Sequence, residues 1–215
     1  MLESKKVYLF GYSGHSYVLI ESFLKAGFTV VGYFDYQEVP CNPYQIPYLG
    51  FEDHVDVKSI VKDDFVFPSI GDNVIRAKLV SFFERHNLQQ CVLIDPSANV
   101  SPTAKVLVST YIGKNVVINA KSYIGKGVIV NTAAIIEHEC LVNDFCHIAP
   151  SAVLCGNVSL GELTFIGANS SVRNNISINA GVILGAGSVV VKSIDSNGVW
   201  VGNPLKKIKW VKKLS

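Results

Sequence analysis

The four consecutive residues Glu137-His138-Glu139-Cys140 carry the strongest chemical signal in this chain. An imidazole between carboxylates can serve as a general base, because a carboxylate fixes its tautomer and supports the imidazolium that forms. The competing reading is a solvent-facing histidine among acids. A second histidine, His147, follows nine residues later. A third signal lies near the start, where Gly11-Tyr12-Ser13-Gly14-His15 follows an apolar run and Asp35 stands about twenty residues beyond it.

What must position the first two is a repeat of six. From Ile94 to Val190 every sixth residue is a branched aliphatic, through Ile112, Ile118, Ile136, Leu154 and Val172, over seventeen positions in phase. Small or compact residues recur four places after each, as at Ala104, Thr110, Ala134, Ala152 and Ser170. No helix has a period of six and an ordinary strand has a period of two, so the pattern predicts a parallel β-helix. Three short strands with their turns close a coil of eighteen residues, and coils stack about 4.8 Å apart. One coil cannot bury its own face, so stability must come from the stack.

That geometry predicts that Gly156, eighteen residues after His138, lies directly beside it. A glycine there leaves space and a backbone N–H next to the base, which an acyl transfer would use for its oxyanion. His138 and His147 are half a coil apart and cannot face one ligand within a single prism. If they share a site, it lies between subunits. Two histidines in the repeat are too few for a three-histidine zinc site, and no metal is expected.

Ahead of the repeat the pattern is α/β. Strands are expected at residues 5–10, 29–34 and 64–70, helices after Gly14, over 51–61 and over 74–86, and a last strand at 90–94. On the third helix Ile75, Leu79, Phe82 and Phe83 read as the buried face, with Arg76 and Lys78 off it. The loops at 11–15, 35–37 and 71–73 would gather at the carboxyl edge of a parallel sheet, where ligands of such sheets bind. The glycine turn lacks the G-x-G-x-x-G of dinucleotide enzymes. Three readings follow: a nucleotide held in another pose, a purely structural turn and, least favoured, NAD.

The chain of 215 residues is 49% hydrophobic with net charge +2, which gives no reason to expect nucleic acid as a partner. Its beginning does not resemble a signal peptide, and no apolar run reaches transmembrane length, so no membrane insertion is expected. Five cysteines show no metal or disulfide spacing, and the three inside the repeat (Cys140, Cys146, Cys155) read as reduced inward fillers of a cytoplasmic protein. After Val190 the register is expected to stop, with a connector over 192–200 and a lysine-rich tail, 205–215, that caps the solenoid.

Several motifs together resemble one family. The six-residue repeat is similar to the left-handed β-helix acyltransferases. Within them, the α/β domain opening on G-x-x-G-H, the N-T-x-x-x-I-E-H-E-C run at 131–140, His147, the C-G-N-V at 155–158 and the G-N-P at 202–204 resemble the PglD/NeuD-type sugar acetyltransferases. The resemblance implies an α/β N-terminal Rossmann-like domain (1–88), an all-β left-handed parallel β-helix (89–199) and a basic C-terminal cap (200–215). It implies a homotrimer that moves acetyl from acetyl-CoA to a nucleotide-linked amino sugar, a 4-amino-4,6-dideoxyhexose of bacterial surface glycans. His138 would be the base and Glu139 its orienting acid. His147, Gly156, Ala168 and Ala186 would hold acetyl-CoA, and Gly14, His15, Asp35, Gly71 and Asn131 the sugar nucleotide. A family O-acetyltransferase would use the same histidine on a hydroxyl, whereas a non-catalytic β-helical scaffold would need neither the base nor the glycine turn. The tail departs from the family's G-x-P-A-K/R, reading Gly202-Asn203-Pro204-Leu205-Lys206.

Overall fold

A computed structural model describes residues 5–208. The chain begins with a four-stranded parallel sheet in the order β2-β1-β3-β4, from β1 (Lys5–Phe10), β2 (Phe28–Phe34), β3 (Phe65–Pro68) and β4 (Gln89–Gln90). Helix α1 (Gly14–Lys25) covers one side, and α2 (Val57–Val61) and α3 (Asn73–Arg85) the other. The second helix is shorter than the sequence suggests: residues 52–55 form a turn, and Asp56 caps α2 by accepting from Ser59 N. The expected strand at 90–94 is divided. Gln89–Gln90 closes the N-terminal sheet, and Leu93–Ile94 already belongs to the solenoid.

The repeat forms a three-sided parallel solenoid. The first face stacks Leu93–Ile94, Tyr111–Ile112, Ile129–Val130, His147–Ile148, Phe165–Ile166 and Val182–Leu184. A second face runs from Asn99–Val100 to Val189–Val190, and a third from Lys105–Val106 to Ser177–Ile178. The aliphatics from Ile112 to Val190 point inward and are all buried, packed with the small residues four places on. Ile94 departs from the pattern, at 39% exposure, and Val100 and Val106 are only partly buried. All three lie in the first coil, which has no coil beneath it. Cys140 and Cys146 are inward fillers as expected; Cys155 is not, because it follows the inward Leu154 and sits half-buried at the turn.

The turns explain two different residue choices. The third residue after each inward aliphatic takes the left-handed conformation in coil after coil, as at Asn115 (φ 57°), Ala133 (57°), Glu139 (60°) and Gly181 (67°). The glycines directly after the aliphatic answer to space instead: a Cβ on Gly167 would lie 2.6 Å from the Ala186 backbone one coil on. The register also runs past Val190. Ile194 is buried and bridges Ile178, Gly198–Val201 pairs with Val182–Leu184, and Lys206–Ile208 folds back antiparallel to close the end. The tail expected over 205–215 lies outside the described residues from 209 onward.

The two parts share a core. Outward residues Leu93, Tyr111 and Ile129 of the first face are fully buried against the α1 side of the N-terminal sheet. Ser22 on α1 bonds the buried Asp95 (2.6 Å) and the Tyr111 hydroxyl (3.1 Å), and Glu21 pairs with Lys114. The α/β unit is thereby fixed on the lower coils of one face.

Candidate functional site

His138 stands at the corner between the second and third faces, in the turn between Ile135–Ile136 and Leu141–Val142. Its Nδ1 is 3.1 Å from Glu139 Oε2, and both side chains are more than half exposed. An exposed pair of this kind contributes orientation more than stability. In the coils above, Asn157 and Asn175 take Glu139's left-handed position and their side chains bond each other at 2.9 Å. Asparagine suits that conformation better than glutamate does, so the carboxylate interrupts a structural ladder where it meets the imidazole.

Gly156 lies one coil above His138, as the stacking argument requires. A Cβ there would approach the ring at 2.6 Å from Cε1 and 2.7 Å from Nε2. Any side chain would therefore displace the imidazole, and only glycine lets the ring pack against the backbone here. No acceptor for the Gly156 N–H is found among the described residues. Cys140 is no rival nucleophile: its thiol is buried, donates to Cys155 O, and burial pushes its pKa up to about 11.

A second constellation sits where the first face meets the N-terminal sheet. His147 is on the outward side of this face, 3.3 Å from Asn131 Nδ2 and edge-on to Phe165 at 5.1 Å. His15, in the first turn of α1, lies edge-on to Tyr111 at 6.1 Å. Burial, reinforced by the Arg76 cation, lowers the pKa of His15 to about 4 and that of His147 to about 3. The Gly71 carbonyl lies near enough to His147 to favour its charged form slightly, without the geometry of a hydrogen bond. His15 Nε2 and His147 Nδ1 are buried with no partner among the described residues. Buried polar atoms are ordinarily satisfied, so these two atoms stand out on facing elements of the junction.

A cavity of about 380 Å³ lies between Gly71–Val74 on one side and Leu163, Phe165, Gly181 and Ile183 on the other; neither histidine lines it, but Gly71 and Phe165, which neighbour His147, do. A groove of about 450 Å³ on the third face, with Asn143, Ser159, Gly161 and Ser177 in its lining, includes no histidine or cysteine. Gly14 and Gly71 have open space where a Cβ would stand. The Asp35 carboxylate accepts from Tyr12 N (2.8 Å) and Tyr36 N (2.7 Å), so it already orders its own loop.

Within one chain, then, His138, Glu139 and Gly156 form one group, and His15, Gly71, Asn131 and His147 another. His147 keeps company with the residues expected at the sugar end rather than with Gly156. Ala168 and Ala186 stack at a different corner, between the first and second faces, with Gly187 N bonded to Ala168 O at 2.8 Å. Sequence reasoning missed Arg76. Placed off the buried face of α3, it is 1% exposed, whereas Ile75, assigned to that face, is 49% exposed. The face packed inward is Arg76, Leu79, Val80 and Phe83. The signal of 3.6 periodicity fails here because the first turns of α3 pack on solenoid carbonyls as well as on the sheet.

Comparison with known proteins places this geometry. The family model for the PglD N-terminal domain matches residues 6–83. A single-substitution variant of perosamine N-acetyltransferase from Caulobacter crescentus, in complex with CoA and GDP-perosamine, superposes with a TM-score of 0.90 at 32% identity, over 95% of this chain and 97% of that one. The acetyltransferase domain of PglB from Neisseria gonorrhoeae, in complex with acetyl coenzyme A, gives 0.86 at 29% identity, over 96% and 100%. Curated relatives match over shorter stretches. Serine acetyltransferase 2 of Arabidopsis thaliana is 44% identical over 50 residues, 23% of this chain and 16% of that protein. An acetyltransferase of Staphylococcus aureus is 37% identical over 54 residues, 25% of this chain and 27% of that protein. With its PglD-type N-terminal domain and its three-sided solenoid, the chain belongs to the left-handed β-helix (hexapeptide-repeat) acyltransferases of the PglD type.

Proposed function

We propose that this protein transfers an acetyl group from acetyl-CoA to the amine of a nucleotide-linked amino sugar, by direct attack with His138 as general base. The observation that carries the reading is the His138 ring packed directly against Gly156, where only a glycine leaves the imidazole its place, with Glu139 at its Nδ1. The amine attacks the thioester carbonyl, His138 Nε2 takes its proton, and the Gly156 N–H stabilises the tetrahedral oxyanion. Collapse expels the CoA thiolate, which the protonated imidazole can neutralise. Glu139 holds Nδ1 and offsets the imidazolium charge. Acetyl-CoA supplies the acyl group and its leaving thiol. Ala168 and Ala186 would leave a slim path for the pantetheine arm at their corner.

The sugar nucleotide would sit between the α/β domain and the first face, against His15, Gly71, Asn131 and His147, with Gly14 and Asp35 toward the nucleotide. Because this set and the His138 set occupy different sides of one prism, the complete site needs two subunits. A homotrimer meets that need, and the outward stripe Val117, Ile135, Val153 and Val189 on the second face offers an apolar surface for it. The N-terminal unit spanning 1–88, the solenoid 89–199 and the cap from 200 would then divide nucleotide binding, catalysis and end-capping. A 4-amino-4,6-dideoxyhexose on a nucleotide, destined for a bacterial surface glycan, suits such a site, as does a cytoplasmic location where nucleotide sugars and acetyl-CoA meet. No described helix is long and apolar enough to cross a membrane.

Mass spectrometry of reactions with a panel of nucleotide-linked amino sugars and acetyl-CoA tests the reading. The expected product gains one acetyl group as an amide. An ester product resolved by mild alkali would instead make the acceptor a hydroxyl. No product, with no thermal shift from any nucleotide, would reduce the protein to a scaffold.

A further inference from the structure

Arg76 is the largest fully buried side chain in the described chain, and its acceptors are all carbonyl oxygens. On the N-terminal side it donates to Ile70 O (3.2 Å), Gly71 O (3.0 Å) and Asn73 Oδ1 (2.8 Å). Toward the solenoid, Nε donates to Gly127 O at 2.6 Å, and one terminal nitrogen to Phe145 O (3.0 Å) and Cys146 O (3.3 Å). Asn73 continues the series, its Nδ2 donating to Leu163 O (3.0 Å) and Thr164 O (3.4 Å).

These acceptors form a pattern. Gly127, Phe145 and Leu163 are one coil apart and occupy the same left-handed turn position of the same corner (φ 61°, 59° and 61°). Their carbonyls form a ladder along the solenoid, and Arg76 with Asn73 grips three successive rungs. The lowest rung fixes the register, because a Cβ on Gly127 would meet Phe145 at 2.6 Å and Val80 of α3 at 3.5 Å. The same loop, Gly71–Val74, is one wall of the 380 Å³ cavity, and Leu163 belongs to the opposite wall.

We propose that the Arg76–Asn73 clamp is a positioning device that sets the width and register of the substrate cleft between the α/β domain and the first face. The proposal rests on the reading that the nucleotide-linked amino sugar binds in that cleft. A planar guanidinium with fixed, forked donors can hold two elements at once, which a lysine ammonium cannot reproduce. Arg76 itself touches no reacting atom. It acts by keeping Gly71 and His15 opposite His147, so that a ligand can use both walls together.

Steady-state kinetics of Arg76→Met, Arg76→Lys and Asn73→Ala in the full-length protein tests this, with both substrates varied. The expected result for Arg76→Met is a rise of about tenfold or more in KM for the sugar nucleotide, with KM for acetyl-CoA within about twofold of wild type. Arg76→Lys should fall between, because it keeps the charge and loses the fork. Asn73→Ala removes the upper strap and leaves the guanidinium its other bonds, so it keeps the test decisive even if Arg76→Met fails to fold. It should raise the sugar KM about three- to tenfold. An unchanged sugar KM in Asn73→Ala, or an equal rise for both substrates in any folded variant, overturns the clamp. A wild type whose rate does not saturate with any nucleotide sugar overturns the cleft reading itself, before the variants are compared.

Discussion

Acidification should loosen the junction between the α/β domain and the solenoid by an amount the buried histidines determine. His15 and His147 are held neutral by burial beside the Arg76 cation, at about 4 and about 3, against an ordinary value of 6.5. In the unfolded chain both regain the ordinary value. Between 6.5 and the folded values the unfolded state therefore binds more protons, so stability falls as pH falls through that window. About pH 5 lies about 1.5 units below the unfolded value of each histidine, and both are still neutral when folded. At about 1.4 kcal/mol per unit, that is about 2 kcal/mol each and about 4 kcal/mol for the pair. Urea unfolding at about pH 7.5 and about pH 5, at one protein concentration, measures the loss. His147→Gln should lose about 2 kcal/mol less than wild type over the same interval, because one of the two reluctant bases is gone. The double difference cancels whatever the substitution costs at neutral pH. If His147→Gln loses as much as wild type, His147 is not a buried neutral base and the packing at the first face has been misjudged.

Gly156→Ala should reduce kcat about a hundredfold, because the new methyl drives the imidazole from its place, while the fold survives because the displaced His138 side chain is exposed and free to move. Asp35→Ala should raise the KM for the sugar nucleotide about tenfold and leave that for acetyl-CoA within about twofold; an equal effect on both would make Asp35 a loop-ordering residue, the role its bonds from Tyr12 N and Tyr36 N already give it. Ile136→Ala, in the middle of the stack with a fully buried side chain, should cost about 2–5 kcal/mol in urea unfolding, and a loss under about 1 kcal/mol would mean the prism core relaxes around the gap.

The solenoid was legible because its constraint is local and repeated. A branched aliphatic every six residues leaves one closed arrangement, and seventeen consecutive instances leave little room for another. The pairing of His138 with Gly156 followed from the same arithmetic, since coil length converts sequence separation into a neighbour. Residues outside the repeat were read with less success, for physical reasons. Arg76 is a charge on an amphipathic helix, which ordinarily faces water. Its burial depends on backbone carbonyls that two successive coils present, and no pattern within α3 encodes them. The strand expected at 90–94 split in two because Cys91 and Val92 carry the chain from one sheet to another without a glycine or proline to mark the change. His147, inside the repeat, is implied by the resemblance to hold acetyl-CoA; that it lies on the covered first face, next to Asn131 and Phe165, depends on which face the α/β domain occupies, and the hexad does not say.

The central claim is that His138 takes the proton from the attacking amine. Its most direct test is His138→Ala, with turnover measured at saturating substrates and acetyl-CoA affinity measured separately by calorimetry. An exposed turn side chain carries none of the solenoid core, so the melting temperature and the affinity should stay at wild-type values. The turnover number should fall about a hundred- to ten-thousandfold, the range a positioned general base supplies. Turnover within about threefold of wild type, in a folded protein that still binds acetyl-CoA, would place the base elsewhere and contradict the account.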